Sequence, residues 1–211
     1  MQPLDIFQIV VLIFSVVVHE VAHGYMANWL GDPTARLAGR LTLNPLKHLD
    51  PMGSVILPLL LKLSGSPVLI GYAKPVPYNP YNLKGRYDEA LVAFAGPGTN
   101  ILLALVFGLA IRFFGDLLNP SLLIAFAIIA SINIMLAIFN LIPVPPLDGS
   151  KILSILLPGP IGDAYEKFRT AFERLGILGG VALLLVLLVF LMPYFVALIG
   201  GVFSLVTGLS F

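Results

Sequence analysis

The chain has 211 residues, 58% of them hydrophobic and 11% charged, with a mean hydropathy of +0.98 and a formal net charge of +1. Soluble domains carry about 25% Asp, Glu, Lys and Arg, so an ordinary globular domain is excluded, and the hydrophobicity excludes intrinsic disorder. The absence of cysteine removes disulfides and thiolate metal sites, and a near-neutral chain without a basic run offers no nucleic-acid surface. The sequence reads as one integral membrane domain over 1–211.

Crossing a hydrocarbon core takes about 20 mostly apolar residues. Leu4–Leu30 has that length without Lys or Arg, broken only by Asp5 and by His19, Glu20 and His23. It lacks the basic flank and small-residue cleavage site of a signal peptide. Arg36–Asn44 and the proline-punctuated Val68–Pro80 read as edge strands. Between them 52–72 is apolar but carries Pro58, Lys62 and a Ser64-Gly65-Ser66-Pro67 turn. Ala90–Phe114 is a second span and Leu122–Ile142 a third. No charge follows Arg174, leaving Leu175–Phe211 as a 37-residue apolar tail. As one straight helix that tail would be about 55 Å long, too long for a single crossing. A break at Met192-Pro193-Tyr194 makes it two short spans, or one span and a re-entrant piece. The expected fold is an all-α polytopic membrane protein with about four to five transmembrane helices and a small membrane-associated β hairpin or sheet after the first helix.

Charge assigns the sides. If 52–72 is a re-entrant or surface hairpin, eleven of the twelve basic residues share one side and Arg112 stands alone opposite. If it crosses, the split is four against seven, with Lys62 inside the membrane. Cytoplasmic loops are enriched in Lys and Arg, so the hairpin is the expectation. The N-terminus is then outside and the first span runs inward.

His19-Glu20-Val21-Ala22-His23 places two imidazoles one turn apart on one helical face, a spacing that suits two ligands of one metal ion. The glutamate between them can take a proton from metal-bound water. Two satisfied helix histidines would be the bland alternative, but ionisable groups at membrane depth are costly and usually functional. A hydrolytic zinc wants three protein ligands and one open position. Asp148 lies at the inward end of the third span, at the depth of the two histidines. Pro143, Pro145 and Pro146 stop the helix before it, and Gly149 permits a turn after it. A turn aspartate at the membrane boundary is its alternative, and His48 is the runner-up ligand. Ala95-Gly96-Pro97-Gly98-Thr99-Asn100 opens the second span from the same side. Small residues there serve close helix packing, whereas the Asn100 amide needs a partner in hydrocarbon.

The sequences His19-Glu-Val-Ala-His23, Gly96-Pro-Gly-Thr-Asn100 and Asn140-Leu-Ile-Pro-Val-Pro-Pro-Leu-Asp148-Gly resemble the three motifs of the site-2 protease family of intramembrane zinc metalloproteases. Arg40-Leu-Thr-Leu-Asn-Pro-Leu-Lys-His48 and Gly71-Tyr-Ala-Lys-Pro-Val-Pro77 are similar to segments of its compact members, and no insert is large enough for a PDZ domain. The resemblance covers about 9–150 in the family's order. It implies a catalytic core over about 4–150, while the apolar helices over about 175–211 are read from composition and match none of its motifs. It implies one Zn2+ per chain, with His19, His23 and Asp148 as ligands and Glu20 as catalytic base, and it suggests Asn100 and Asn140 as substrate-positioning or oxyanion-side groups. The implied partners are a transmembrane protein substrate and the lipid bilayer, with the site toward the cytosolic side of a cell membrane. Oligomeric state stays open, a homo-oligomer included. Two other classes compete: a membrane metal transporter, which would more often show paired repeats with broken helices, and a non-catalytic membrane-protein binder.

Overall fold

A computed structural model of the chain describes residues 3–50, 74–174 and 176–210, without several side chains between 173 and 188. Seven α-helices occur among them: α1 (Pro3–Trp29), α2 (Thr34–Leu37), α3 (Asp88–Phe114), α4 (Pro120–Asn140), α5 (Asp148–Leu156), α6 (Gly159–Arg174) and α7 (Gly176–Thr207). Among the described residues, four stretches are long and apolar enough to cross a membrane: Pro3–Trp29, Asp88–Leu117, Pro120–Asn140 and Val189–Thr207. Their outward surfaces carry Leu12, Phe14, Leu102, Val106, Leu122 and Val189, while Ser15, His19, Asn100 and Asn133 are buried between them. That polarity suits lipid as the solvent, where apolar side chains lose nothing by facing outward and polar groups must be satisfied within the protein.

Helix α3 is the hub, packing on α1, α4, α5 and α7. Its start is fixed by the Asp88 carboxylate, which accepts from the Gly85 and Lys84 amides at 2.7 and 3.2 Å. Acidic groups there also complement the helix dipole. At α4 the direction is reversed: Asn119, just before the helix, caps it by accepting from Leu122 N at 2.9 Å, with Pro120 at the first helical position. His19 meets Asn100 and Ser15 meets Asn133, while Phe107 stacks edge-on against Phe126. Helices α1 and α4 therefore run antiparallel to α3. Arg112, near the end of α3, donates to the Leu205 carbonyl near the end of α7 at 2.5 Å, so α7 runs parallel to α3. Ala104, Ala130, Ile134, Ile199 and Phe203 make an apolar cluster among α3, α4 and α7.

Two expectations change. No β-strand exists among the described residues, so the hairpin or sheet expected after the first helix is corrected. Arg36 lies in α2, which turns back through Ala38, Gly39 and Arg40 amides bonded to Thr34, Arg36 and Ala35 carbonyls. Residues 74–79 are extended but form no ladder. Pro75 and Pro77 have no amide to give, and three of the four amides that remain go elsewhere: Lys74 N to His48 O at 2.9 Å, Val76 N to Glu20 at 2.8 Å and Asn79 N to Asp32 at 2.7 Å. Two side-chain carboxylates and one isolated backbone carbonyl replace the partner strand. The expected hairpin at 52–72 and the first part of Val68–Pro80 lie outside the described residues. In the apolar tail, α7 continues through Pro193 as one 32-residue helix. A proline is tolerated inside membrane helices because neighbouring groups re-satisfy the freed carbonyl.

Candidate metal centre

The antiparallel packing of α1 on α3, and the return of the chain at the end of α4, bring the expected ligands to one end of the bundle. His19 and His23 project from α1 one turn apart, with Nε2 atoms 3.0 Å from each other. Asp148, the first residue of α5, places Oδ2 3.2 Å from His19 Nε2 and 3.3 Å from His23 Nε2. Pro143, Pro145 and Pro146 end α4 and turn the chain, and Gly149 lets α5 start against α4: a Cβ there would collide with the Leu141 and Ile142 carbonyls.

Proton positions follow from the partners of the other ring nitrogens. His23 Nδ1 lies 2.7 Å from the Val92 carbonyl, which can only accept, so in the neutral ring the proton is on Nδ1 and Nε2 carries a lone pair. His19 Nδ1 lies 2.7 Å from Asn100 Oδ1, which makes it a donor by the same reasoning. Burial works against the charge of Asp148, but the imidazoles beside it, when they carry a proton on Nε2, outweigh that and hold its carboxyl well below the usual carboxylate range. With both rings neutral and protonated on Nδ1, two nitrogen lone pairs and a carboxylate oxygen converge instead, an arrangement that a bound metal cation relieves. Zn–N and Zn–O bonds of 2.0–2.2 Å in a tetrahedron separate neighbouring ligand atoms by about 3.3 Å. The observed triangle of 3.0, 3.2 and 3.3 Å is therefore sized for one face of such a tetrahedron, with the fourth position left for water. Gly96 forms a wall beside it. A Cβ on this residue would run into His23 Nε2 and come within 2.6 Å of His19 Nε2, so only glycine lets α3 lie this close.

Glu20 is half-buried, and its carboxylate accepts from Val76 N at 2.8 Å. Segment 74–79 therefore passes over the glutamate as a strap, tied at both ends. The Arg40 guanidinium donates to the Lys74 carbonyl at 2.7 Å, and Asp32 accepts from Asn79 N and Asn82 Nδ2, each at 2.7 Å. Burial disfavours the Asp32 charge, but Thr34, Asn82 and Asn79 donate to it and bring its carboxyl below the ordinary range. Tyr78 of the strap lies under Lys151, whose Nζ is 5.1 Å from the ring centroid. Burial lowers the Lys151 ammonium, yet Tyr78 and the Asp148 carboxylate outweigh it and raise it above the usual lysine range.

The other expected residues sit as follows. His48 is buried in the loop after α2, donating Nε2–H to the Thr42 carbonyl at 2.8 Å. It is apart from the group formed by His19, His23 and Asp148. Asn100 is fully buried, with Nδ2 donating to Asn133 Oδ1 at 2.8 Å and to the Ser15 carbonyl at 3.5 Å. Asn140 donates to the Leu136 carbonyl of its own helix at 2.9 Å. Sequence reading passes over Gly96 as a packing residue, and over Lys151 and Asn133. An amide inside the apolar run of α4 was itself a signal, by the argument that marks Asn100.

The sequence pattern of peptidase family M50 matches residues 7–116 and 109–187. The chain is 38% identical over 161 residues to YwhC of Bacillus subtilis strain 168, a protein provisionally named a zinc metalloprotease, covering 72% of this chain and 69% of that one. It is 33% identical over 138 residues to Rip2 of Mycolicibacterium smegmatis, provisionally named in the same way, covering 65% of this chain and 52% of the relative. This chain thus spans about half the length of the mycobacterial protein. A shorter match, 41% over 68 residues, joins it to MJ0611 of Methanocaldococcus jannaschii, again provisionally a zinc metalloprotease, with 31% of this chain and 34% of the relative covered. No solved structure matches the chain. With four helices among the described residues able to span a bilayer and a pattern match along most of its length, the chain belongs to peptidase family M50, the site-2 protease family of membrane zinc metalloproteases.

Proposed function

We propose that this protein hydrolyses peptide bonds in or near the transmembrane segments of membrane-protein substrates, with His19, His23 and Asp148 holding one zinc ion and Glu20 acting as general base. The observation that carries the reading is the triangle of His19 Nε2, His23 Nε2 and Asp148 Oδ2, already at zinc-ligand spacing, one helical residue from a carboxylate. A bound zinc would supply a water of lowered pKa and polarise the scissile carbonyl. Glu20 takes the proton from that water and passes it to the leaving amine. Its present partner, the Val76 amide, holds the carboxylate in place and must yield part of it when water is bound. Asp148 contributes the negative charge that balances the cation. Asn100 is engaged on Ser15, Asn133 and His19, so it acts through His19. Asn140, whose nitrogen bonds back to Leu136, has its oxygen for a substrate amide. The side of the bundle that carries Arg40, Lys74 and Lys151 is the cytosolic one in this reading, and a cell membrane is the setting.

The test is cleavage of a panel of tagged single-span proteins by purified chain in detergent, followed by immunoblot. Glu20→Gln is expected to lower the rate by about 10²–10⁴-fold with one zinc still bound per chain, and a strong chelator to abolish it. Undiminished cleavage by Glu20→Gln, or in the chelator, overturns the reading. Zinc flux through proteoliposomes without cleavage would establish the transporter alternative.

A further inference from the structure

We propose that Asn133, on α4 and outside the ligand set, is a positioning residue that dictates which nitrogen of His19 is free to bind the metal; the proposal rests on the zinc-centre reading above. The chain of contacts begins at a group that cannot reverse. Asn133 Nδ2 lies 2.8 Å from the Ile129 carbonyl and 3.0 Å from Ser15 Oγ. A carbonyl oxygen only accepts, so the nitrogen of this amide must face Ile129, and its oxygen is turned toward α3. That oxygen lies 2.8 Å from Asn100 Nδ2, which also reaches the Ser15 carbonyl at 3.5 Å. The Asn100 amide is thereby oriented with its oxygen toward His19 Nδ1, 2.7 Å away. His19 must donate from Nδ1, and its Nε2 lone pair is left at the centre.

Both asparagines are fully buried and Ser15 nearly so. Reversing either amide would set oxygen against oxygen where no water compensates. His23 obeys the same rule more directly, through the Val92 carbonyl. In each case a backbone carbonyl decides the tautomer: directly from α3 for His23, and from α4 through two amides for His19. Helix α4 thus contributes to the centre twice, by leading the chain to Asp148 and by orienting the ligand on α1.

Removing the Asn133 side chain amide frees Asn100 to turn its nitrogen toward His19, whose proton then moves to Nε2, the ligand position. Zinc affinity of the purified full chain, measured by chelator competition, is the readout, with the thermal midpoint of the metal-free protein beside it. Asn133→Leu is expected to weaken binding about 10–100-fold, the range for outer-shell partners. Asn133→Asp is expected to stay within about threefold, because a carboxyl buried at this depth is protonated and keeps its C=O toward Asn100 and its O–H toward Ile129. A purely structural role would lower the metal-free midpoint and leave affinity untouched. Wild-type affinity in Asn133→Leu, or equal loss in Asn133→Asp, overturns the proposal. Should Asn133→Leu fail to fold, ¹⁵N shifts of the three histidines in the zinc-loaded wild type decide: a proton on His19 Nδ1 upholds the assignment and one on Nε2 overturns it. A wild-type chain that binds no zinc would instead defeat the metal-centre reading, and this inference with it.

Discussion

The two halves of the helical bundle are held together by different forces. Where α3, α4 and α7 meet at Ala104, Ala130, Ile134, Ile199 and Phe203, the buried surface is small and aliphatic, with one ring. Lipid tails are as apolar as these side chains, so the contact rests on shape and dispersion. Where α1, α3 and α4 meet around His19, the buried groups are Ser15, Asn100 and Asn133, joined by hydrogen bonds that lipid cannot replace. The first half is a packing contact that tolerates repacking. The second is a directed network, in which each group has one acceptable orientation and the His19–His23–Asp148 triangle lies at its end. Fold and chemistry can therefore be perturbed separately.

The sharpest break in that comparison is expected from Gly96→Ala. The added methyl enters the space of both His Nε2 atoms, so zinc binding and cleavage should fall below detection in metal analysis and blotting. The cost to the metal-free fold should stay near the 1–3 kcal/mol typical of overpacking. A variant that loads zinc normally would show that α3 does not wall the centre.

A middle-sized effect is expected in the loops. Asp32→Ala removes the acceptor shared by Thr34, Asn79 and Asn82. Hydrogen bonds to a charged group contribute about 1.5–3 kcal/mol each at most, and amide hydrogen exchange in 74–82 should rise while the transmembrane helices stay protected. The folded carboxyl is shifted down, so its contribution is present above the ordinary carboxylate range near pH 4 and is lost as pH falls through the depressed value. Acid-induced exchange in 74–82 should therefore be steep in the wild type and flat in Asp32→Ala. Equal pH profiles would refute the role of Asp32.

The smallest effect should come from the apolar half. Ile134→Val deletes one methyl from a buried cluster and should cost about 0.5–1.5 kcal/mol, read as a lowered thermal midpoint in detergent. Zinc affinity should be unchanged. A shift in affinity would mean that the two halves are coupled.

Legibility followed the kind of signal. His19, Glu20 and His23 share one helical turn, so spacing alone showed their common face. Asp148 was readable through its prolines and the side of the membrane on which its helix ends. The strand reading of 36–44 failed because its start belongs to α2 and the chain then turns back on that helix, and that of the described part of Val68–Pro80 because proline-punctuated extended chain is the same pattern whether it pairs with a strand or is tied by single acceptors. The acceptors here, Glu20 and Asp32, lie more than forty residues away. Pro193 was read as a break because, in water, an interior proline usually is one; α7 absorbs it.

By itself the sequence determined the solvent, the approximate spans and the chemical identity of the donors, since each depends on composition or on spacing within one helix. Only the tertiary structure decided which nitrogen of each histidine faces the centre, that Gly96 must be glycine, and that Asn133 belongs to the same network. Tautomers and close approach are set by partners on other helices, and hydrogen-bond direction travels through space rather than along the chain.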